Sequence, residues 1–256
     1  MILAIDVGNT HTVFGLWNGE SWCATWRRQT SIQDTEDEIA AWLRSLYELS
    51  GFRWEIEGAV LGSVVPGANF ALERLVERYF SRRLRIVTNG ESVSVPVDYN
   101  PPHAVGADRL ANALAALERG APPIIVVDFG TATTFDTINR DGVYVGGAIM
   151  PGVQISMEAL ASRAAKLPPI QLVPPATAVG KDTVHSIQSG VLFGYAGAVD
   201  AVVNRIDAEL GGGTTVLATG GLGGLFMGTA KTICCYEPTL TLDGLVIAYQ
   251  RLERSH

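Results

Sequence analysis

Short runs rich in apolar residues alternate along this chain with segments whose apolar residues recur every three or four positions. Residues 2–5, 59–65 and 124–127 have the length and composition of strands, and Asn18-Gly19 is typical of a hairpin turn between two further strands. Helical spacing begins after Thr35-Glu36-Asp37-Glu38, where the threonine and the last glutamate match the capping box that starts many helices. Strands mixed with helices in this order predict an α/β fold.

The second half of the chain repeats the pattern of the first. Its apolar run is followed by predicted strands at 133–138 and 144–149, and then by a helix that includes Leu167. We therefore expect two similar domains, residues 1–118 and 119–256, with a cleft between them.

A long helical segment lies in the second half. Residues 183–210 are expected to form one long helix or two close ones, and a last helix covers 242–252. The long segment carries small residues, which allow another helix to approach closely: Ser186, Ser189, Gly190, Gly194, Gly197 and Ala198.

The composition limits the classes of protein to which this chain can belong. Of its 256 residues, 47% are hydrophobic and 18% are charged, which is typical of a compact folded protein. The formal net charge of −7 disfavours general binding to nucleic acid or to an anionic membrane. An anionic ligand therefore needs a local pocket of backbone amides, a metal ion and a few cationic side chains.

The cysteines and the N-terminus predict a cytoplasmic protein. Cys23, Cys234 and Cys235 have no metal-ligand spacing, and they indicate reduced thiols. The apolar run at residues 2–5 is too short for a signal peptide, because Asp6 ends it. We expect no segment to reach the length of a membrane span and no binding to membranes.

One short polar pattern ends the first apolar run of each half. It is Asp6-Val7-Gly8-Asn9-Thr10 in the first half and Asp128-Phe129-Gly130-Thr131 in the second. Glycine permits a tight turn whose backbone N–H groups and hydroxyls can bind a phosphate, and the carboxylate beside it can hold a metal ion or order its water. Asn9 and Thr131 are the better phosphate candidates. Two copies favour a nucleotide site, and the alternative is an aspartate that satisfies amides of its own turn.

Two further segments carry candidate chemistry. In Gly106-Ala107-Asp108-Arg109, Asp108 can accept the proton of a hydroxyl that attacks a γ-phosphoryl group, and Arg109 can bind a carboxylate. The alternative is an aspartate that favours the helix dipole beside a surface arginine. Thr219-Gly220-Gly221 suits close approach of the backbone to adenine or ribose, although it is also compatible with an ordinary turn.

At these residues the chain resembles type III pantothenate kinases, within the superfamily of acetate and sugar kinases, Hsp70 and actin. The two aspartate-glycine turns resemble the first and second phosphate motifs of that family. Gly106-Ala107-Asp108-Arg109 resembles its pantothenate-binding segment, with Tyr99 at the place of the tyrosine before it, and Gly180-Lys181-Asp182-Thr183 resembles another family segment. The resemblance covers essentially the whole chain. It implies an α/β fold of two similar ribonuclease H-like (actin-like ATPase) domains around a central cleft.

The resemblance implies ATP-dependent phosphorylation of pantothenate to 4'-phosphopantothenate, the first step of coenzyme A biosynthesis, with Asp108 as the catalytic base. The residues implied to bind ATP and its phosphates are Asp6, Val7, Gly8, Asn9, Thr10, His11, Thr12, Val13 and Thr131. The residues implied to bind pantothenate are Tyr99, Gly106, Ala107, Asp108, Arg109 and Thr183.

The resemblance also implies metal ions and a second subunit. Asp6 would order the hydrated Mg²⁺ that accompanies ATP, and Asp128 would hold a monovalent cation, K⁺ or NH₄⁺. Thr183 would reach the substrate of the neighbouring subunit, which implies a homodimer. The alternatives are another small-hydroxy-acid kinase or a phosphohydrolase of the same superfamily, or a non-catalytic nucleotide-binding regulatory protein.

Overall fold

The computed structural model describes residues 1–163 and 170–254 of the chain. Leu167, which the sequence places in a helix, lies outside the described residues. The strands within them are β1 (Ile2–Val7), β2 (His11–Trp17), β3 (Trp22–Gln29), β4 (Gly58–Ser63), β5 (Leu84–Ile86), β6 (Ile124–Phe129), β7 (Ala132–Ile138), β8 (Tyr144–Pro151), β9 (Thr215–Thr219) and β10 (Cys235–Tyr236). The α-helices are α1 (Glu36–Leu49), α2 (Pro66–Phe80), α3 (Ala107–Arg119), α4 (Val153–Arg163), α5 (Thr183–Glu209) and α6 (Leu240–Arg254).

The chain divides into two compact units. The first contains Met1–Ala115 and Thr241–His256, and the second contains Ala116–Leu240. In the first unit the strand order is β3-β2-β1-β4-β5, with β1 antiparallel to β2 and parallel to β4. Its apolar core packs one face of this sheet against α1 and α2, and it includes Ile5, Phe14, Leu43 and Leu75.

The second unit repeats this topology. Its strand order is β10-β9-β6-β7-β8, and β6 is antiparallel to β7 and parallel to β9. Thus β6 takes the place that β1 has in the first sheet, and the hairpin β7–β8 takes the place of β2–β3. The prediction of two similar α/β halves is confirmed at the level of strand order and direction.

Local sequence signals form the elements that they predict. The Asn18 Oδ1 accepts hydrogen bonds from the amides of Glu20 (2.9 Å) and Ser21 (2.8 Å), which closes the β2–β3 hairpin. At the start of α1 the Thr35 hydroxyl accepts from the Glu38 amide at 3.3 Å, and the Glu38 carboxylate accepts from the Thr35 amide at 2.9 Å. The predicted capping box is therefore present.

The position of the last helix corrects the predicted domain boundaries. The sequence places residues 119–256 in the second domain, but α6 belongs to the first unit. The Trp22 indole N–H donates to the Asp243 carboxylate at 2.6 Å, and Gly244 lies so close to Ala111 that a β-carbon would overlap its carbonyl oxygen. These contacts join residues far apart in sequence, so periodicity alone could not assign α6 to its sheet.

Helix α5 is a single helix of 27 residues. By length and composition alone it is apolar enough to span a bilayer, with a mean hydropathy of 1.2 over the 18-residue window. The expectation that no segment reaches this length is therefore wrong. Only 28% of that window is buried inside the described chain, so much of the surface of α5 is exposed.

Candidate nucleotide and substrate site

The first aspartate-glycine turn connects β1 to β2 with its polar residues turned outward. The Gly8 amide donates to the His11 carbonyl at 3.0 Å, which closes the turn. Asn9, Thr10 and His11 are exposed, whereas Val7 is buried in the core beneath them. Three exposed residues on a tight turn that follows a buried strand are well placed to offer backbone amides to a phosphate.

Asp6 is half-buried at the end of β1, next to this turn. In the sheet it stands opposite Val13 of β2 on one side and Gly62 of β4 on the other. A β-carbon on Gly62 would lie 2.8 Å from the Leu245 Cδ2, so the absence of a side chain there lets α6 pack closely against this strand.

The turn is tied to β3 through Thr30. The Thr30 amide donates to the Thr10 carbonyl at 3.0 Å, and the Thr30 hydroxyl donates to the Gly8 carbonyl at 2.7 Å. The hydroxyl of Thr12, which is only 6% exposed, lies 2.9 Å from that of Thr30. Thr12 therefore lies behind the turn, in contact with Thr30, and not on its exposed side.

A cavity of about 690 Å³ lies beside this turn. It is lined in part by Asn9, Arg28, Thr30, Asp34, Trp42 and Val65. The Arg28 guanidinium forms an ion pair with Asp34 at 2.7 Å and lies 5.2 Å from the centre of the Trp42 ring. These contacts fix the Arg28 guanidinium in the wall of the cavity, where the Asp34 carboxylate balances its charge.

Asp108 lies at the start of α3, within the same unit. Its carboxylate lies over Gly106, where a β-carbon would overlap the Asp108 Oδ1 and would lie 3.3 Å from the Val64 Cγ1. The Val64 amide in turn donates to the Val7 carbonyl at 3.0 Å, at the end of β1. Asp108 thus lies near Val64, which is bonded to the strand that carries the first phosphate turn.

The other residues predicted to bind the substrate lie in α3, in the loop before α3 and at the start of α5. Arg109 is half-buried beside Asp108, Ala107 is buried, and Tyr99 is 37% exposed in the proline-rich loop before them. Thr183 is exposed at the first position of α5, just after Asp182, whose carboxylate caps the helix by accepting from the His185 amide at 2.8 Å.

In the second unit, the turn between β6 and β7 resembles the first but is one residue shorter. The Gly130 amide donates to the Ala132 carbonyl at 3.0 Å, and Thr131 is exposed. Asp128 stands opposite Thr134 of β7 and Thr219 of β9. The structure therefore brings the second aspartate-glycine turn next to Thr219-Gly220-Gly221.

Gly220 is the closest point of that approach. Its φ is +83°, and a β-carbon would overlap the Asp128 Oδ1 and lie 2.7 Å from the Phe129 backbone nitrogen. The Tyr236 hydroxyl donates to the Gly220 carbonyl at 3.0 Å. The Asp128 carboxylate is thus packed against backbone, an arrangement in which carboxylate and carbonyl oxygens can serve as cation ligands together.

The described residues offer a metal ion no preformed cluster of ligating side chains. Throughout residues 1–163 and 170–254, no three His, Cys, Asp or Glu side chains are grouped to hold an ion. A cation at Asp6 or Asp128 would therefore complete its coordination with phosphate, water or backbone oxygens. Mg²⁺ in phosphoryl-transfer sites is commonly bound in this way, by one or two carboxylates and the phosphates of the substrate.

Sequence reasoning did not identify Thr30, which supports Gly8 of the first phosphate turn, or Tyr236, which supports Gly220 of the Thr219-Gly220-Gly221 turn. Each donates its hydroxyl to a glycine carbonyl, across sequence separations of 22 and 16 residues. Neither residue lies in a motif. Only the strand order, which sets β3 beside β2 and β10 beside β9, could have pointed to them.

Solved structures share this fold. A candidate 2-dehydro-3-deoxygalactonokinase from Sinorhizobium meliloti is similar with a TM-score of 0.60 and 14% identity, over 98% of this chain and 96% of that chain. Component A of (R)-2-hydroxyglutaryl-CoA dehydratase from Acidaminococcus fermentans has a TM-score of 0.55 and 14% identity, over 100% and 99%. At such identities the likeness shows the fold alone, which is that of the actin-like ATPases and sugar kinases.

The sequence comparisons are more specific. The sequence profile of the family described as type III pantothenate kinase matches residues 2–205. Proteins named type III pantothenate kinase from Anaeromyxobacter sp. (strain K) and Geobacter sulfurreducens are 46% and 44% identical to this chain, over 98% of it and 99% of each relative. The matched region includes both aspartate-glycine turns, the segment at Asp108 and Thr183. The chain belongs to the type III pantothenate kinase family.

Proposed function

We propose that this chain transfers the γ-phosphoryl group of ATP to the primary hydroxyl of pantothenate and so forms 4'-phosphopantothenate. The observation that carries the proposal is the position of Asp108. Its carboxylate lies over Gly106 and near Val64, whose amide bonds the Val7 carbonyl at the end of β1, the strand that leads into the first phosphate turn. Family membership supplies the substrate, and this position supplies a carboxylate for the reaction.

In the proposed reaction the pantothenate hydroxyl oxygen attacks the γ-phosphorus. Asp108 accepts the hydroxyl proton as the new O–P bond forms, and the bond from the γ-phosphorus to the β,γ-bridging oxygen breaks to release ADP. Arg109 binds the carboxylate of pantothenate through its planar guanidinium, with Tyr99, Gly106 and Ala107 around the substrate. Positioning of the two reactants supplies much of the acceleration, because the phosphoryl group transfers with little covalent participation by the protein.

The two aspartate-glycine turns bind ATP in this proposal. The backbone from Asp6 to Val13 surrounds the phosphates, with the amides of Asn9, Thr10 and His11 on its exposed side, and Thr131 contacts ATP from the second turn. Asp6 would order the water shell of Mg²⁺, and Asp128 would hold the monovalent cation, K⁺ or NH₄⁺. When bound, these cations neutralise negative charge that develops on the phosphate oxygens.

We also propose that the protein is a homodimer that uses the exposed face of α5. A β-carbon on Gly190, Gly194 or Gly197 would meet nothing within 4 Å, and Phe193 on the same face is 39% exposed. These positions recur at the spacing of a single helix face. Ser189, in contrast, is buried and donates to the Ala178 carbonyl at 2.5 Å, so it is not part of this face. Thr183 begins the same helix, which fits its proposed role at the neighbouring subunit's substrate.

We propose that the protein is cytoplasmic and binds neither nucleic acid nor a membrane. All three cysteines, Cys23, Cys234 and Cys235, are free thiols, which fits a reducing cytoplasm. The net charge of −7 disfavours nucleic acid as a partner. In the proposed homodimer the exposed face of α5 packs against the second copy, so no membrane is needed to cover it.

One experiment tests the proposed reaction. ADP release from ATP is measured with and without pantothenate, in potassium and in sodium, for the wild type and for Asp108→Asn. We expect release that requires pantothenate, is faster in potassium, and falls by about 10²- to about 10⁴-fold in Asp108→Asn, since that is the usual contribution of a general base.

The other outcomes distinguish the alternatives. ADP release that does not need pantothenate would indicate a phosphohydrolase or a kinase for another hydroxy acid. ATP binding without turnover under any condition would indicate a nucleotide-binding regulatory protein. Near-normal kcat in Asp108→Asn would remove that residue from the mechanism.

A further inference from the structure

Thr30 follows the last residue of β3 and makes three hydrogen bonds at the first phosphate turn. Its amide donates to the Thr10 carbonyl (3.0 Å), its hydroxyl donates to the Gly8 carbonyl (2.7 Å), and its hydroxyl oxygen lies 2.9 Å from that of Thr12. A threonine hydroxyl has one proton. Since Thr30 gives that proton to Gly8, the Thr12 hydroxyl donates to Thr30.

These bonds fix the direction of a peptide group in the turn. In a trans peptide the C=O and the following N–H point to opposite sides. The Gly8 carbonyl is held on the Thr30 hydroxyl, so the Asn9 N–H points away from Thr30. Asn9 is exposed, so this amide, on the side of the turn away from Thr30, is available to a bound anion.

We propose that Thr30 is a positioning residue that presents the Asn9 amide to an ATP phosphate. The proposal rests on the proposed function, because it takes the first turn to be a phosphate site. Thr30 does not act on the phosphate itself. It acts through Gly8, whose peptide would otherwise be free to rotate and turn the Asn9 amide away.

The surroundings of Thr30 favour a role at the turn over a role in core packing. Its side chain is half-buried and lines the same cavity as Asn9, whereas the apolar core of the first unit is formed by residues such as Phe14 and Leu16. Tethering the Gly8 and Thr10 carbonyls leaves the glycine turn with fewer accessible conformations before ATP binds. A preorganised donor costs less conformational entropy on binding than a mobile one.

The test compares substitutions that remove the hydroxyl with one that keeps it. Thr30→Val preserves the shape of the side chain, Thr30→Ala removes the hydroxyl without placing a methyl group in its position, and Thr30→Ser keeps the donor. Thr25→Val, at an exposed position of β3, is the matched control. For each variant we would measure the melting temperature, kcat, and KM for ATP and for pantothenate.

We expect Thr30→Val and Thr30→Ala to lower kcat/KM for ATP by about 10-fold or more, because misplacement of a contact group by about 1 Å can cost up to about 10²-fold. KM for pantothenate should change much less, and Thr30→Ser and Thr25→Val should stay near the wild type. If either variant that lacks the hydroxyl keeps wild-type kcat/KM for ATP, or loses only melting temperature, the proposal is wrong.

Two further outcomes are informative. If Thr30→Ser is as impaired as Thr30→Ala, the methyl group and not the hydroxyl is what matters, and the proposal is again wrong. If the wild type itself shows no turnover that depends on pantothenate, the proposed function fails. The Thr30 proposal can then still be judged by ATP affinity in the same variants, measured by calorimetry, with equal affinities counting against it.

Discussion

The carboxylate of Asp128 lies directly against the α-carbon of Gly220, so that a β-carbon at Gly220 would overlap the Asp128 Oδ1. The glycine has a φ of +83° and also approaches the backbone of Phe129. This contact joins the end of β6 to the end of β9. The position of the Asp128 carboxylate, the proposed cation ligand, therefore depends on Gly220, which has no functional group of its own.

We therefore expect Gly220→Ala to weaken the dependence of activity on potassium. The added methyl group must displace the Asp128 carboxylate or the Phe129 backbone, and the left-handed conformation costs a further roughly 1–2 kcal/mol. The measurement is ADP release as a function of potassium concentration, where we expect a higher concentration for half-maximal activity and a lower maximal rate.

Gly228→Ala is the matched control for Gly220→Ala. Gly228 has a φ of +77°, but a β-carbon there would meet nothing within 4 Å. Both variants should lose stability from backbone strain, while only Gly220→Ala should change the response to potassium. An unchanged potassium response in a folded Gly220→Ala protein would show that the Asp128 carboxylate is not the cation ligand.

We expect Gly106→Ala to lower kcat while the protein remains folded. Gly106 does not have a positive φ, so alanine is not strained there, but its β-carbon would overlap the Asp108 Oδ1. The Asp108 carboxylate must rotate away from its present position. We expect kcat to fall by about 10-fold or more, because a displacement of about 1 Å can cost up to about 10²-fold in rate.

The control for Gly106→Ala is Gly120→Ala, because a β-carbon at Gly120 would meet nothing within 4 Å. Steady-state kinetics and circular dichroism of both variants check the prediction. Wild-type kcat in Gly106→Ala would mean that the observed Asp108 position is not the one used in the reaction.

Much of the fold could be predicted from the sequence because its signals are local. The capping box at Thr35 and the turn at Asn18 each depend on residues within four positions, and both are present in the structure. The strand predicted at 59–65 ends earlier, at Ser63. The bond from the Val64 amide to the Val7 carbonyl is the last one to β1, and the chain then enters α2 at Pro66. The assignment of α6 to the first unit depends on distant contacts and could not be predicted in this way.

The same distinction between local and distant signals applies to the candidate site. The two aspartate-glycine turns and the segment at Asp108 are contiguous motifs, so their residue types alone suggested phosphate and proton chemistry. The residues that support these motifs are not contiguous with them. Thr30, just after β3, bonds Gly8, and Tyr236 of β10 bonds Gly220, which lies against Asp128. A sequence without its strand order gives no reason to select one threonine or tyrosine over another.

The exposed face of α5 leads to a prediction about assembly. We expect Gly194→Lys to convert the proposed homodimer into a monomer, because a long charged side chain on this face would separate the two copies. Within one chain the substitution has open space and replaces glycine by a better helix former, which favours the helix by up to about 1 kcal/mol. If the wild type is already a monomer, Gly194→Lys should therefore make it more stable.

Light scattering and thermal melting at micromolar concentration distinguish these results. A loss of mass from two chains to one, with a loss of activity, supports the α5 interface and the shared role of Thr183. Gly120→Lys, also at a glycine with open space around its α-carbon, should keep the wild-type mass. A Gly194→Lys protein with the wild-type mass would place the interface elsewhere.

The loop at Lys231 and Thr232 gives a prediction about acid stability. The Asp200 carboxylate on α5 accepts hydrogen bonds from the amides of Lys231 (3.0 Å) and Thr232 (2.9 Å) and from the Thr232 hydroxyl (2.8 Å). Burial raises the pKa of Asp200, but these hydrogen bonds and the charge of Lys231 lower it more, so its pKa lies below the usual value of an aspartate. The ionised carboxylate therefore stabilises the folded state.

The sign of the effect follows from linkage between proton binding and folding. A pKa that is lower in the folded state gives a stabilisation that is fully present above the unfolded-state pKa of about 3.9 and is lost as the pH falls through the folded-state value. We expect Asp200→Asn to be less stable than the wild type near neutral pH, and the difference in urea midpoint to shrink as the pH falls below about 4. Asp141→Asn, at an exposed turn, controls for the loss of one negative charge. A difference between Asp200→Asn and the wild type that stays constant from neutral pH to about pH 3 would mean that the ionised carboxylate is not what holds this loop.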